Sequence, residues 1–453
     1  MTERRIGPLA LARTAAATTP EGRDRVVDLL RAGSLLVVVL GHALMAYVTW
    51  QAGKPKLGNL LTELPSLKVL TWVLQVMPLF FAAGQIANAG SHAAARAEGR
   101  PWRVWYWARV RRLARPALYY LAIWVPIALG LEAALPRAAG PLARLSTQLL
   151  WFLGVYVLVV ALTGPIARMA ERGWSSVLAL LVVITAIDLG RFHVTGGIGV
   201  VNFLVVWVLA ATLGPIVRAR AGEARLLLVA VAALVVNLAV VRYGPYPISL
   251  VGMPGEPISN MAPPTLVLAL HSVWLVALIG WAWPHLDRWC HRPRAWVATC
   301  LMGGLAMTVY LWHLTALILL TVIEHLLGLD RPTPQDAWFW PATIVHVTVF
   351  LGLTVGVVLL AAPLEHLPIP WLERPTVGDG PWRRFAAVAS VPVLAIGFLV
   401  ISLTGMQGFP NHVREYVGIP WTPAIALGVL LAGVLLARAG GASPEDRITT
   451  HRH

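Results

Sequence analysis

Charge is scarce in this chain. Only 13% of its 453 residues are Asp, Glu, Lys or Arg, against ~25% in ordinary soluble domains. That shortage accompanies 58% hydrophobic residues and a mean hydropathy of +0.70, which excludes a soluble enzyme carrying one anchor and leaves a polytopic membrane protein. Cysteine is almost absent too: Cys290 and Cys300 are the two present, too few and too poorly spaced for a disulfide framework or a metal knuckle. Lysine is confined to Lys54, Lys56 and Lys68, so arginine carries nearly all of the net charge of +15. In a soluble chain such an excess suggests nucleic acid. Here the bases fall mostly between apolar spans, where topology and lipid head groups account for them, and no nucleic-acid partner is expected.

Dividing the chain at its Arg, Pro and Gly clusters predicts an all-α polytopic protein with about 12 transmembrane helices, near 26–50, 66–90, 114–134, 146–167, 174–190, 199–217, 225–242, 264–284, 296–325, 339–363, 385–405 and 420–437. The ninth is long, with a break expected at Gly303-Gly304. Alternate connections hold 26 and 9 of the 36 bases, Arg31 being the remaining one. That asymmetry predicts cytoplasmic termini and a cytoplasmic 91–115 loop. Residues 1–23 are polar, basic and rich in Ala and Thr, without a cleavable signal pattern, and read as a disordered cytoplasmic tail.

The first span carries ionisable groups that a bilayer penalises and that mark function by default. Arg31 and His42 are eleven residues apart, within ~20° of one helix face and ~16 Å along the axis. Asp28 lies one turn before Arg31 and is expected to pair with it. His271, His313 and His346 are predicted at a depth similar to that of His42, toward the extracytoplasmic side. None has the local i,i+4 spacing of a metal motif, so for His271 and His346 a packing role is the plainer reading and no metal site is expected.

A second polar segment is Trp102-Arg-Val-Trp-Tyr-Trp-Ala-Arg-Val-Arg-Arg-Leu-Ala-Arg-Pro116. Arg109, Arg112 and Arg115 recur every third residue beside Arg111, giving a cationic ridge at the entry to helix three. Positive-inside topology alone favours such a segment. The interleaved aromatics and arginine forks also suit a phosphate or nucleotide-like ligand.

Taken in order, these pieces resemble acyltransferase family 3, a family of membrane acyltransferases. The resemblance rests on Asp28-Leu-Leu-Arg31 with His42, on Met77-Pro-Leu-Phe-Phe-Ala-Ala-Gly84 (where Ala83 replaces a usual serine), and on Arg112-Leu-Ala-Arg115-Pro116. Trp151-Phe-Leu, Met307-Thr-Val-Tyr-Leu-Trp-His313 and Glu373-Arg-Pro375 complete it. It spans residues 24–376, leaving 377–440 as an appended helix pair and 441–453 as a cytoplasmic tail.

The resemblance implies a multi-pass protein of the cell membrane that moves an acyl group, expected to be acetyl, from cytoplasmic acyl-CoA to a hydroxyl of an extracytoplasmic glycan, glycolipid or small molecule. No bound cofactor is expected, since acyl-CoA is a substrate. Arg109, Arg111, Arg112 and Arg115 would hold the CoA phosphates. His42 would act as general base or as a covalent acyl carrier. Arg31 would stabilise negative charge with Asp28 orienting it, and Tyr310 and His313 would position the acceptor or relay a proton. The rival reading is a twelve-helix secondary transporter, against which no internal symmetry is visible.

Overall fold

The computed structural model describes residues 7–441, apart from 52–53, 254–255, 366, 374–379 and 417. Its helices are α1 (Pro8–Ala17), α2 (Arg25–Met45), α3 (Leu60–Glu63), α4 (Thr71–Leu74), α5 (Met77–Ala97), α6 (Trp102–Ala134), α7 (Pro136–Thr147), α8 (Trp151–Ala161), α9 (Thr163–Glu171) and α10 (Trp174–His193). They continue with α11 (Asn202–Arg218), α12 (Ala224–Tyr243), α13 (Leu266–Cys290), α14 (Pro293–Gly304), α15 (Ala306–Leu326), α16 (Phe339–Glu365), α17 (Pro370–Glu373), α18 (Pro381–Thr404) and α19 (Pro423–Gly441). Two small two-stranded sheets interrupt them: β1 (Ala46–Gln51) with β2 (Lys54–Asn59), and β3 (Arg414–Tyr416) antiparallel to β4 (Ile419–Trp421). Twelve stretches among the described residues are long and apolar enough to cross a bilayer, which agrees with the twelve spans expected.

Several boundaries differ from expectation for local reasons. The first helix stops at Met45, five residues early, because Tyr47, Val48, Thr49 and Trp50 are β-branched or aromatic and form a strand. The second span is not one helix. Pro78 lacks a backbone N–H and sits at the second position of α5, so the chain breaks at Gln75–Val76. The supposed 91–115 loop is largely helical, with only four residues between α5 and α6. The ninth span does break after Gly304, where α14 ends. The tail expected to be disordered contains α1, which packs against α14, while Trp296 Nε1 donates to Thr19 Oγ1 at 2.8 Å. The 442–453 tail, the 376/377 boundary, and Arg374 and Pro375 of the closing motif lie outside the described residues.

The chain forms two compact units. The first comprises residues 1–42, 59–90 and 162–306. Inside it α11, α12 and α10 pack on α13, and α11 approaches the α5 backbone at Gly214, where a Cβ would stand 2.3 Å from the Ala82 carbonyl oxygen. A buried carboxylate, Asp188, ties this unit together, accepting from Asn202 Nδ2 at 3.0 Å, Tyr246 Oη at 2.9 Å and the Leu266 N–H at 2.8 Å.

The second unit comprises residues 43–58, 91–161 and 307–453. The helices α18 and α19 pack on each other and on α8 and α6 respectively, so this pair is part of the unit's core. Glycines let the backbones meet: a Cβ on Gly397 would lie 2.6 Å from Leu430 Cα, and one on Gly440 2.5 Å from the Ala387 nitrogen. In a bilayer, where apolar side chains gain little by leaving lipid, such small-residue contacts carry much of helix association.

Candidate functional site

In the first unit, α2 carries Arg31, Ser34 and His42. The expected Asp28–Arg31 pair does not form. Asp28 accepts instead from Arg23, at 2.6 Å from Nε and 3.1 Å from Nη2. Arg23 lies just before the helix and its two nitrogens match both carboxylate oxygens, a forked geometry that a helical i,i+3 partner rarely supplies. This bond holds the Arg23 guanidinium above its ordinary pKa. Arg31 is thereby released from the acid expected to neutralise it. Its guanidinium sits 5.8 Å from the Phe80 ring centroid, and its Nε is buried with no hydrogen-bond partner among the described residues. His42 is half-buried in the last turn of the helix.

The break in the second span adds polar groups to this unit. The Gln75 carbonyl, left without a helical partner, accepts from His271 Nε2 at 2.8 Å. That bond fixes the neutral ring with its lone pair on Nδ1, which is buried and unpartnered. The Gln75 side chain donates to Leu250 O at 3.1 Å, and the Leu250 N–H donates to Thr71 Oγ1 at 3.0 Å. His271 is thus committed to the break by one nitrogen.

In the second unit the arginine ridge forms the N-terminal half of α6, and its members are not equivalent. Arg109 lies over the Trp105 ring at 4.1 Å and donates to Ser91 Oγ. Arg115 pairs with Glu373 at 3.2 Å and donates from Nε to the Glu365 carbonyl at 3.2 Å. Arg112 is exposed and Arg111 half-buried.

Two motifs distant in sequence therefore meet, because Arg112-x-x-Arg115 and the closing Glu373 share an ion pair. Glu365 draws in a third: its carboxylate accepts from Thr308 Oγ1 at 2.7 Å and from Trp312 Nε1 at 3.1 Å. Tyr310 Oη donates to the Leu149 carbonyl at 2.5 Å, beside Trp151. His313 is fully buried, with Nδ1 donating to Val309 O at 2.9 Å in its own helix.

The expected common depth of the histidines needs correction within this unit. Because the chain restarts as a new helix at Ala306, His313 lies seven residues into α15, nearer the Glu365 end. His346 lies at the opposite end of the α15–α16 pair, where its Nδ1 meets Glu324 Oε1 at 2.8 Å. A cleft there is lined by Trp50, Thr321, Glu324, Asp330, Arg331 and His346 among others. Arg331 donates to Ala46 O at 2.7 Å and Thr343 Oγ1 at 3.0 Å, and burial holds its guanidinium below the ordinary pKa while Glu324 opposes that shift. Glu324, Glu365 and Arg331 were not singled out from sequence. Their one visible signal was charge at the ends of otherwise apolar spans.

A family model described as an acyltransferase domain (Acyl_transf_3) matches residues 24–364. Neither the curated proteins nor the solved structures contain a significant match. The matched segment stops one residue before Glu365, so Glu373, α18 and α19 lie beyond it.

Proposed function

The chain belongs to acyltransferase family 3 and is a multi-pass membrane acyltransferase, and on that premise we propose that it transfers an acetyl group from cytoplasmic acyl-CoA to a hydroxyl of an extracytoplasmic glycan, glycolipid or small molecule, in the cell membrane with both termini cytoplasmic. The observation that carries this reading is the state of α2. Arg31 stands in an apolar span with its Nε unpartnered and the Asp28 carboxylate engaged by Arg23, and His42 follows eleven residues later on the same helix. An uncompensated guanidinium in a membrane segment is costly unless an anion visits it. The thioester's developing oxyanion and the CoA phosphates are both such anions. The transporter reading leaves these residues without a task and does not account for the family match.

Two chemical routes use the same residues. In the first, His42 takes the proton of the acceptor hydroxyl while its oxygen attacks the thioester carbonyl carbon. The carbon–sulfur bond breaks and the CoA thiolate receives the proton. In the second, an imidazole nitrogen of His42 attacks the thioester, CoA leaves as the thiol, and the acyl-imidazole then yields its acyl group to the hydroxyl. Arg31 stabilises the oxyanion in either route, with Asp28 acting indirectly by holding Arg23 at the helix start. Arg109, Arg111, Arg112 and Arg115 hold the CoA phosphates, Arg111 and Arg112 being the members with fewer commitments to the protein. Tyr310 and His313 position the acceptor or relay a proton.

The test is thioester cleavage and acyl transfer by the purified full chain in detergent with acetyl-CoA. His42→Ala should reduce the rate at least 100-fold with the elution profile unchanged. A quenched acyl-adduct at His42, found by mass spectrometry, selects the covalent route. Full activity in His42→Ala would overturn the assignment.

A further inference from the structure

The cleft at the α15–α16 end of the second unit contains two orphaned polar groups. His346 is 4% exposed. Its Nδ1 is engaged by the Glu324 carboxylate at 2.8 Å, and its buried Nε2 has no hydrogen-bond partner. Arg331 uses two guanidinium nitrogens on Ala46 O and Thr343 Oγ1, which pins β1 against α16, and its buried Nε–H donor has no partner either. A buried polar atom left without a partner is destabilising unless something fills its place. Both residues line the same cleft.

The closed part of that cleft has room for about one water-sized group. A hydroxyl, of water or of a sugar, is of that size and both donates and accepts, so it can meet Arg331 Nε–H and His346 Nε2 together. A methyl satisfies neither side. The cleft wall also contains Trp50, whose indole is stacked on His325 at 3.6 Å and 4°. His325 is itself held by Asp330 at 3.2 Å. An aromatic plane braced in this way beside a polar niche suits the C–H face of a sugar ring.

We propose that this cleft binds the acceptor: one hydroxyl of a sugar or polyol enters the niche between His346 and Arg331, and its carbon skeleton lies against Trp50. Naming the occupant the acceptor rests on the acyl-transfer reading above. The binding itself is independent of it. The expected topology places this end of the second unit on the extracytoplasmic side, opposite the arginine ridge.

The experiment uses the full chain in lipid nanodiscs without CoA. Methyl β-D-glucopyranoside, methyl β-D-galactopyranoside and glycerol are the probes, with tetrahydropyran, a ring of similar outline lacking hydroxyls, as the blank. Saturation-transfer NMR should show binding of at least one hydroxylated probe and none of tetrahydropyran. His346→Phe and Trp50→Ala should each weaken that binding at least fivefold, and Thr348→Ala, on an exposed face of α16, should leave it unchanged. The two variants alter lining residues on different elements, β1 and α16, so a folding defect in one does not remove the other. Absence of binding by all three probes, or equal binding by every variant, shows that the niche holds water only and overturns the proposal. Acetyl-CoA cleavage is measured on the same preparation. Sugar binding without cleavage removes the donor reading and leaves this one, while cleavage without sugar binding does the reverse.

Discussion

Neutralising Glu373 should strengthen donor binding, whereas removing Arg115 should weaken it. The pair is 3.2 Å apart with side chains 28% and 33% exposed. Two unit charges at that separation attract by ~5 kcal/mol at an effective dielectric of 20, but desolvation, side-chain entropy and screening leave partly solvated pairs worth ~0.2–1 kcal/mol. Glu373 therefore competes for Arg115 only weakly, and Glu373→Gln should lower the acetyl-CoA KM by up to ~5-fold, the equivalent of ~1 kcal/mol. If Arg115 holds a CoA phosphate as proposed, Arg115→Ala removes a charged hydrogen bond worth ~1.5–3 kcal/mol and should raise the KM ~10- to 100-fold with a smaller change in kcat. Initial rates of thiol release across a range of acetyl-CoA concentrations, on detergent-purified protein, measure both. If Glu373→Gln raises the KM as Arg115→Ala does, the ion pair is a clip that shapes the site, and Arg115 does not reach the donor.

Three further outcomes follow from particular contacts. Asp188→Ala strands Asn202 Nδ2, Tyr246 Oη and the Leu266 N–H, and thermal unfolding in detergent should register a loss of ~2–4 kcal/mol. Gly214→Ala drives a methyl to 2.3 Å from the Ala82 carbonyl, a backbone clash that should cost ~1–3 kcal/mol or more and lower the yield of folded protein. Gly303→Ala meets nothing within 4 Å and should be neutral or stabilising by up to ~1 kcal/mol. A Gly303 variant as damaging as Gly214→Ala would show that the α14–α15 break is packed against something other than lipid.

Much of the architecture was legible because its signals are local. Hydropathy located all twelve spans, and Gly303-Gly304 marked the break in the ninth. Errors arose where apolar runs change backbone type without changing polarity: Tyr47 to Trp50 are as hydrophobic as the helix before them, so the strand was invisible to a span count. Gln75 was passed over for a similar reason, since the break depends on Pro78 and on a His271 that is 196 residues away. Of the candidate site, Arg31 and His42 could be found because they are polar groups placed where a bilayer penalises them, and the ridge because its arginines recur every third residue among aromatics. Glu324, Glu365 and Arg331 stand at span ends, where charge is ordinary, and acquire meaning only through their partners.

Composition and patterning by themselves determined that this is a multi-span helical membrane protein and that α2 and the α6 ridge carry its unusual charge, because a bilayer's cost for polar groups is paid residue by residue and needs no knowledge of neighbours. Partnership was decided by the tertiary structure alone. It gave Asp28 to Arg23, left Arg31 unpaired at Nε, joined Arg115 to Glu373, and set His346 on Glu324. Those choices depend on distances of a few ångströms between residues far apart in the chain, where hydrogen bonds and ion pairs act and where sequence spacing carries no information.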